Sequence, residues 1–216
     1  MIEGKQTHPL TSILDVNIDK IIAFHCECLN SDMWPNNAKV PLLNTNLWSA
    51  ISENHRNNSL LWAEEDLARR KLAADSEIAA NKRNIDRYNQ ARNDAIEAID
   101  EHLLDWAHSE HPYAKAENIN SESAGSIIDR LSILSLKKHA FSRQLERNDV
   151  DDFHLEDCRK RLTILSEQQQ DLITCFSGIL ADAARGTIRW KIYKQFKMYN
   201  DPSLNPQLYH ERKDRS

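Results

Sequence analysis

The stretch HRNNSLLWAEEDLAR, residues 55–69, decides how the rest of the chain is read. His55, Asn58, Trp62, Glu65 and Arg69 recur at spacings of three and four, so a helix turning about 100° per residue carries all five on one narrow face. Leu47, Ile51, Leu61, Ala68 and Leu72 fall on the same side. The stripe that should meet the core is therefore interrupted by amides, an acid and a guanidinium. A buried polar group without a partner costs about 1–3 kcal/mol, so this face predicts either a closed polar network between helices or a pocket lined for a ligand.

Working outward, neither glycine nor proline occurs from Leu42 to His111, and the composition there favours long helices over short strands. One helix is expected over 45–72, with Asn44, Thr45 and Asn46 as cap candidates, and a second over 76–107. The second carries an apolar stripe of Ile78, Ile85, Tyr88, Ile96, Ile99, Leu103 and Trp106, with Asn89 and Arg92 inside it. Lys82, Asp86, Asn93, Glu97 and Asp100 border that stripe, so the polar intrusion repeats. No breaker separates the two helices, and the boundary is drawn where the stripe changes azimuth near 73–76.

An earlier helix is expected over 15–30, followed by the loop SDMWPNNAKVP. Residues 108–125 read as a loop closed by Ser123 as an N-cap. The helix that follows, about 124–147, carries Ile127, Ile128, Leu131, Ile133, Leu134 and Leu136 around most of its circumference, which makes it the central, surrounded element. Asp129, Arg130 and Lys137 are then charges on a largely buried helix, and such charges need partners. A further long helix is expected over 151–184, starting at an acidic segment that suits the positive end of a helix dipole. In 185–200 a strand-like alternation of Ile188, Trp190 and Ile192 competes with a helical repeat of Trp190, Tyr193, Phe196 and Tyr199. A lone strand would have nothing to pair with, so helix is expected. The end, 201–216, reads as proline-containing turns and a polar tail, and residues 1–14 as a loose lead-in.

The chain has 216 residues, 40% of them hydrophobic and 28% charged, with a net charge of −5. That balance argues against general nucleic-acid binding, which draws on a strongly basic surface. No apolar run is long enough to span a membrane and no signal-peptide layout opens the sequence, so a cytoplasmic location is expected. Cys26, Cys28, Cys158 and Cys175 show neither a CxxC pair nor zinc spacing, and are expected to be reduced thiols.

Three chemistries compete for the polar stripes. In the first, His55, Asn58, Trp62, Glu65, Arg69, Asp86, Asn89, Arg92, Asn93, Asp129 and Arg130 line a pocket whose arginines and asparagines hold an anionic or sugar-like molecule. In the second, the same groups satisfy one another and the network is structural, as in a scaffold. In the third, Glu64, Glu65, Glu97 and Asp100 supply hard oxygen ligands for Mg²⁺ or Mn²⁺ in an enzyme acting on nucleotides or nucleotide sugars. That third pattern is similar only in part to the all-helical nucleotide pyrophosphohydrolases, because Ala68 stands where their ExxE-like element has an acid. Outside that alternative no cofactor is expected. His25 lies on an apolar stripe and reads as a hydrogen-bonded core residue, while His102, His108 and His111 read as a solvated helix end. The basic, aromatic stretch Arg185–Asn200 reads as an amphipathic helix docking by its aromatic side, a surface compatible with a homodimer.

LWAEEDLARR (61–70), KRNIDRYNQARNDAIEAID (82–100), NSESAGSIIDRLSILSLK (120–137) and QFKMYNDPSLNP (195–206) together resemble a bacterial family of proteins of unknown function. The resemblance implies a helical cytoplasmic protein, in a family often encoded near glycosyltransferases of lipopolysaccharide or surface-polysaccharide assembly. It implies no activity. Its motif residues fall on His55, Asn58, Trp62, Glu65, Asp66, Arg69, Lys82, Asp86, Asn89, Gln90, Arg92, Asn93, Asp94, Glu122, Asp129 and Arg130, and one departure is Ala124, where the family pattern has proline.

The expected fold is all-α: a single-domain helical bundle of five to six helices over 15–200, centred on the helix at 124–147. The expected function is binding of an anionic or sugar-like small molecule, as an accessory component of surface-glycan biosynthesis.

Overall fold

Helix starts follow local capping chemistry. The computed structural model describes residues 17–36, 46–110, 118–192, 194, 198 and 201–213. Asn17 caps α1 (Ile18–Leu29), its side chain accepting the Asp19 N–H at 2.8 Å. Next come α2 (Asn46–Ala68) and α3 (Asp75–Glu110). At the turn between them the Glu77 carboxylate accepts the Ala74 N–H at 3.0 Å, the backward half of a capping box. Ser123 caps α4 (Ala124–Leu145) through the Ser126 N–H at 3.2 Å, and Asp151 caps α5 (Asp152–Ala184) through the His154 N–H at 2.8 Å. The expected separation of α2 from α3 near 73–76 and the starts of α4 and α5 agree with the sequence reading.

The described residues form an all-α bundle of six helices with one pair of three-residue strands. At its centre is α4, which packs on α1, α2, α3 and α5. Ile127, Ile128 and Leu131 on α4 are fully buried, as are Ile21 on α1, Ile51 on α2 and Ile99 on α3. All belong to a single apolar cluster that also includes Phe176 of α5. α2 and α3, joined by a short turn, lie along each other as a helical hairpin beside that core.

Where α3 crosses the start of α4, backbone meets backbone. A Cβ on Gly125 would lie 2.7 Å from the Ile96 carbonyl oxygen and 2.9 Å from the Asp100 Cγ. Asp100 accepts the Gly125 N–H at 2.7 Å, so a carboxylate from α3 satisfies a free donor at the α4 N-terminus. Burial pushes the Asp100 carboxyl above the usual range, and hydrogen bonds from Ser123 and Gly125 oppose that push.

Three expectations are corrected. α5 is closed one residue past the C-cap Arg185 by Gly186, whose φ of 66° places it in the left-handed region. The Gly186 N–H reaches the Ala183 carbonyl at 2.9 Å and the Thr187 N–H reaches Asp182 at 3.0 Å, a Schellman closure. The chain then enters β2 (Ile188–Trp190), a strand and not the expected helix. Its partner is β1 (Asn118–Asn120), within the stretch read as loop, in a parallel pair with Asn118 opposite Ile188 and Asn120 opposite Trp190. Most of the remaining basic, aromatic segment lies outside the described residues, as do 1–14, the expected helix start at 15–16 and His111.

The second correction is that the tail contains α6 (Pro206–Lys213), with proline at its first position and Asn205 Oδ1 accepting the Gln207 N–H at 3.0 Å. Third, α2 stops at Ala68, so Leu72 falls in the turn and is wholly exposed instead of joining the stripe.

The Gly125 contact yields a paired prediction. Gly125→Ala should destabilise by about 1–3 kcal/mol through overpacking against a carbonyl that cannot rotate away, lowering Tm by several degrees in a calorimetric scan. Gly178→Ala, where a Cβ on α5 meets nothing within 4 Å, should leave stability unchanged or raise it by up to about 1 kcal/mol.

Candidate functional site

The polar intrusions meet at one carboxylate. Asp129 on α4 is buried, and its Oδ1 accepts from Asn54 Nδ2 and from Asn58 Nδ2, both at 2.9 Å. A carboxylate only accepts, so both amide nitrogens must face it. Asn58 Nδ2 also donates to Ser132 Oγ at 3.0 Å, and that hydroxyl lies 2.8 Å from His55 Nδ1. Beyond His55 the network becomes aromatic. Its ring stacks on His25 at 4.3 Å between centroids and on Trp34 at 5.2 Å, and Trp34 Nε1 donates to Ser59 Oγ at 2.8 Å.

On the other side of Asn58 a cavity of ≈ 400 Å³ opens. Asn58, Trp62, Glu65 and Arg69 come to it from the α2 side, Asn89 and Arg92 from α3. These are six of the residues singled out in the sequence. Its apolar wall is Leu61, Ile85, Ile133 and Leu136, and Asp66 stands among the lining groups. Trp62 is 36% exposed, and Glu65 pairs with Arg69 at 2.7 Å on the solvent side. Arg92 links cavity to network: its Nε lies 3.9 Å from Asp129 Oδ1, within ion-pair range yet beyond a hydrogen bond, and that nitrogen is buried without a hydrogen-bond partner.

The remaining predicted site residues lie elsewhere, for a helical reason. Ile85, Asn89 and Arg92 share the α3 face that meets the cavity, and one step along the helix turns the next side chain by about 100°. Asp86 accordingly pairs with Lys82 on the outer face, and Asn93 lines a separate cavity of ≈ 200 Å³ with Glu97 and Asp100. Arg130, one step past Asp129, faces solvent and pairs with Glu122 at 2.6 Å, and Lys137 is also exposed. The four acids of the metal reading are divided, with Glu97 and Asp100 at that second cavity and Glu64 and Glu65 on α2. Glu64 accepts from Asn84 at 2.9 Å, Glu65 pairs with Arg69, and Asp100 is engaged by Gly125. Among the described residues no three His, Cys, Asp or Glu side chains gather as a cation site.

Asn54 and Ser132 were missed, although each repeats a signal already used. Asn54 stands four residues before Asn58, and Ser132 three after Asp129. The part played by Trp34 had no local signal, because only tertiary packing brings its loop to α2. His25 is a core residue as expected, but neither ring nitrogen is hydrogen-bonded.

Burial holds both stacked imidazoles neutral. Desolvation, then the neighbouring His55, push His25 well below its ordinary value. Desolvation brings His55 down to about 4, with the His25 backbone acting weakly the other way. The Cys28 thiol is pushed up to about 12, by burial first and Glu27 second, and is inert.

Two predictions follow from this arrangement. In the unfolded chain the histidines bind protons below pH 6.5, whereas folded His55 does so only near pH 4, so stability is lost as pH falls between those values. His55 alone accounts for about 3 kcal/mol of that loss; His25 adds to it and Asp100 opposes it at the acid end. Denaturant midpoints at pH 7.5 and 5.0 measure the slope, and His25→Leu should flatten it. Asp129→Ala, which strands two buried amides, should destabilise by about 3 kcal/mol. Glu65→Ala at the exposed rim should change stability by less than about 0.5 kcal/mol, and the same melts separate the two.

A family model described as "Protein of unknown function (DUF4254)" matches residues 48–192. That span takes in α2 from its third residue, all of α3, α4 and α5, and with them every residue of the cavity. No curated protein and no solved structure matches the chain. Among the described residues no helix is long and apolar enough to cross a membrane.

Proposed function

The chain belongs to the DUF4254 family of unknown function, and from that premise we propose that it is a binding protein whose cavity between α2, α3 and α4 takes a small anionic or sugar-like molecule. Arg92 carries this reading. Its side chain lines the ≈ 400 Å³ cavity, and its Nε–H, buried beside Asp129, lies too far from that carboxylate for a hydrogen bond, so protein answers the guanidinium's charge only in part. An anion entering the cavity completes the pairing, at a planar fork suited to carboxylate or phosphate. The volume lies at the lower end of the roughly 300–1,000 Å³ of small-molecule sites. The setting we propose, an accessory role in surface-glycan biosynthesis in the cytoplasm, rests on the family resemblance of the sequence blocks.

A second reading, a scaffold, draws on the closed side of the network, where Asn54, Asn58 and Ser132 satisfy Asp129 and one another with no ligand. The two part at Arg92. Ligand-observed NMR and thermal shift against sugar acids, sugar phosphates, nucleotides and nucleotide sugars, with and without Mg²⁺, should reveal binding by the natural chain. Arg92→Ala should weaken it at least tenfold while keeping Tm within a few degrees. A panel in which no compound binds in an Arg92-dependent way, with Arg92→Ala lowering Tm sharply, leaves the scaffold.

A further inference from the structure

We propose that the ligand is a single sugar ring bearing one anionic group, seated with its ring on Trp62, its anion at Arg92 and a hydroxyl donating to Asn58. This rests on the cavity reading above and specifies it. The argument starts at the Asn58 amide, whose orientation the buried network dictates. Its two N–H groups are committed inward, to Asp129 at 2.9 Å and to Ser132 at 3.0 Å. Turning the amide over would set its carbonyl against the Asp129 carboxylate, two acceptors facing without a proton. The Ser132 hydroxyl, which accepts from Asn58, lies 2.8 Å from His55 Nδ1 and carries the network away from the cavity. What Asn58 has left for the cavity it lines is a carbonyl oxygen.

The hydrogen-bond polarity at Asn58 is thereby set. The α2 side offers acceptors at Asn58, Glu65 and Asp66, with the Arg69 guanidinium paired to Glu65 at the rim, and α3 offers the Arg92 guanidinium and the Asn89 amide. A ligand that donates to Asn58 and accepts from Arg92 matches the inner end of the cavity. Between these edges the wall of Leu61, Ile85, Ile133 and Leu136, with the half-open indole of Trp62, suits a flat body with an apolar face. A sugar ring has all three properties: hydroxyl donors on its edge, a C–H face for the indole, and a carboxylate or phosphate substituent for the guanidinium. Polyphosphates fit poorly, because Glu65 and Asp66 balance Arg69 and Arg92 and leave the lining no net positive charge to hold several phosphates. A wholly apolar ring would leave the Asn58 carbonyl unmatched.

Calorimetric titration of the full chain with glucuronate, glucose 1-phosphate, cyclohexanecarboxylate and inorganic phosphate tests each element. The expected result is that one or both sugar anions bind at least tenfold more tightly than cyclohexanecarboxylate, which lacks the hydroxyls, and than phosphate, which lacks the ring. The exposed substitution Trp62→Ala, which spares the core, should weaken that binding at least tenfold. The carboxylate and phosphate arms distinguish the two sources of the anion. Equal binding of cyclohexanecarboxylate, or indifference to Trp62→Ala, overturns the sugar assignment. Failure of both sugar anions overturns it too, and the cavity reading then survives only if another anion of the wider panel binds in an Arg92-dependent way.

Discussion

A carboxylate on the most enclosed helix of a bundle must find donors, because leaving it uncompensated costs several kcal/mol. Asp129 is that group, and much of the arrangement around it answers its demand. Two asparagines spaced four apart on α2 present their amide hydrogens to one oxygen, which sets the rotation and register of α2 on α4. His55, one step from Asn54, is thereby turned to Ser132 on one edge and to His25 and Trp34 on its faces, which draws α1 and the following turn onto the same place. Replacing such a network with well-packed apolar groups often leaves stability unchanged, so its principal effect is to specify one packing among several.

The second pin on α4 is steric. At Gly125 the α3 backbone approaches so closely that no side chain fits, and Asp100 closes the free helix end from across the crossing. With α4 held near its start by α3 and one turn later by hydrogen bonds from α2, the α2–α3 hairpin is pinned to it at two points. A gap between the two helices is the natural result at the point where polar groups replace apolar ones. That gap is the cavity, and Arg92 stands at its edge, too far from Asp129 to complete the network and aligned with the cavity's lining. Structural and binding roles thus divide at Asn58: one side of the residue is satisfied by protein, the other is open.

The division also gives each polar residue a different burden. Asn54, Ser132 and Asp129 are buried and mutually satisfied, so they belong to folding. Trp62, Glu65 and Arg69 are partly exposed and contribute little to packing, which leaves recognition as the role their placement suits. The paired neutral imidazoles of His25 and His55 extend the folding side, since protonating either would place a charge on a ring that burial strips of water.

The sequence by itself determined the all-α class, the central position of α4, the capped starts of α4 and α5, and the faces on which polar residues interrupt the core. These properties are local: capping is decided within one turn, and helical periodicity shows which residues share a face without reference to any other segment. It also held unused signs of the same kind, such as Asn205 ahead of α6 with Pro206 at its first position, and Asn54 four residues before Asn58. Tertiary structure alone decided the rest. Ile188–Trp190 reads as helix or strand until Asn118–Asn120, distant in the chain, is brought alongside to complete its hydrogen bonds. Asp86, Asn93 and Arg130 read as pocket residues until the helices' rotation is known, because a stripe identifies neighbours on one helix and says nothing of the azimuth at which two helices meet. Whether polar stripes close on one another or leave space is set by distances between helices, and those arise from packing contacts such as Gly125 against Ile96 that no local pattern encodes.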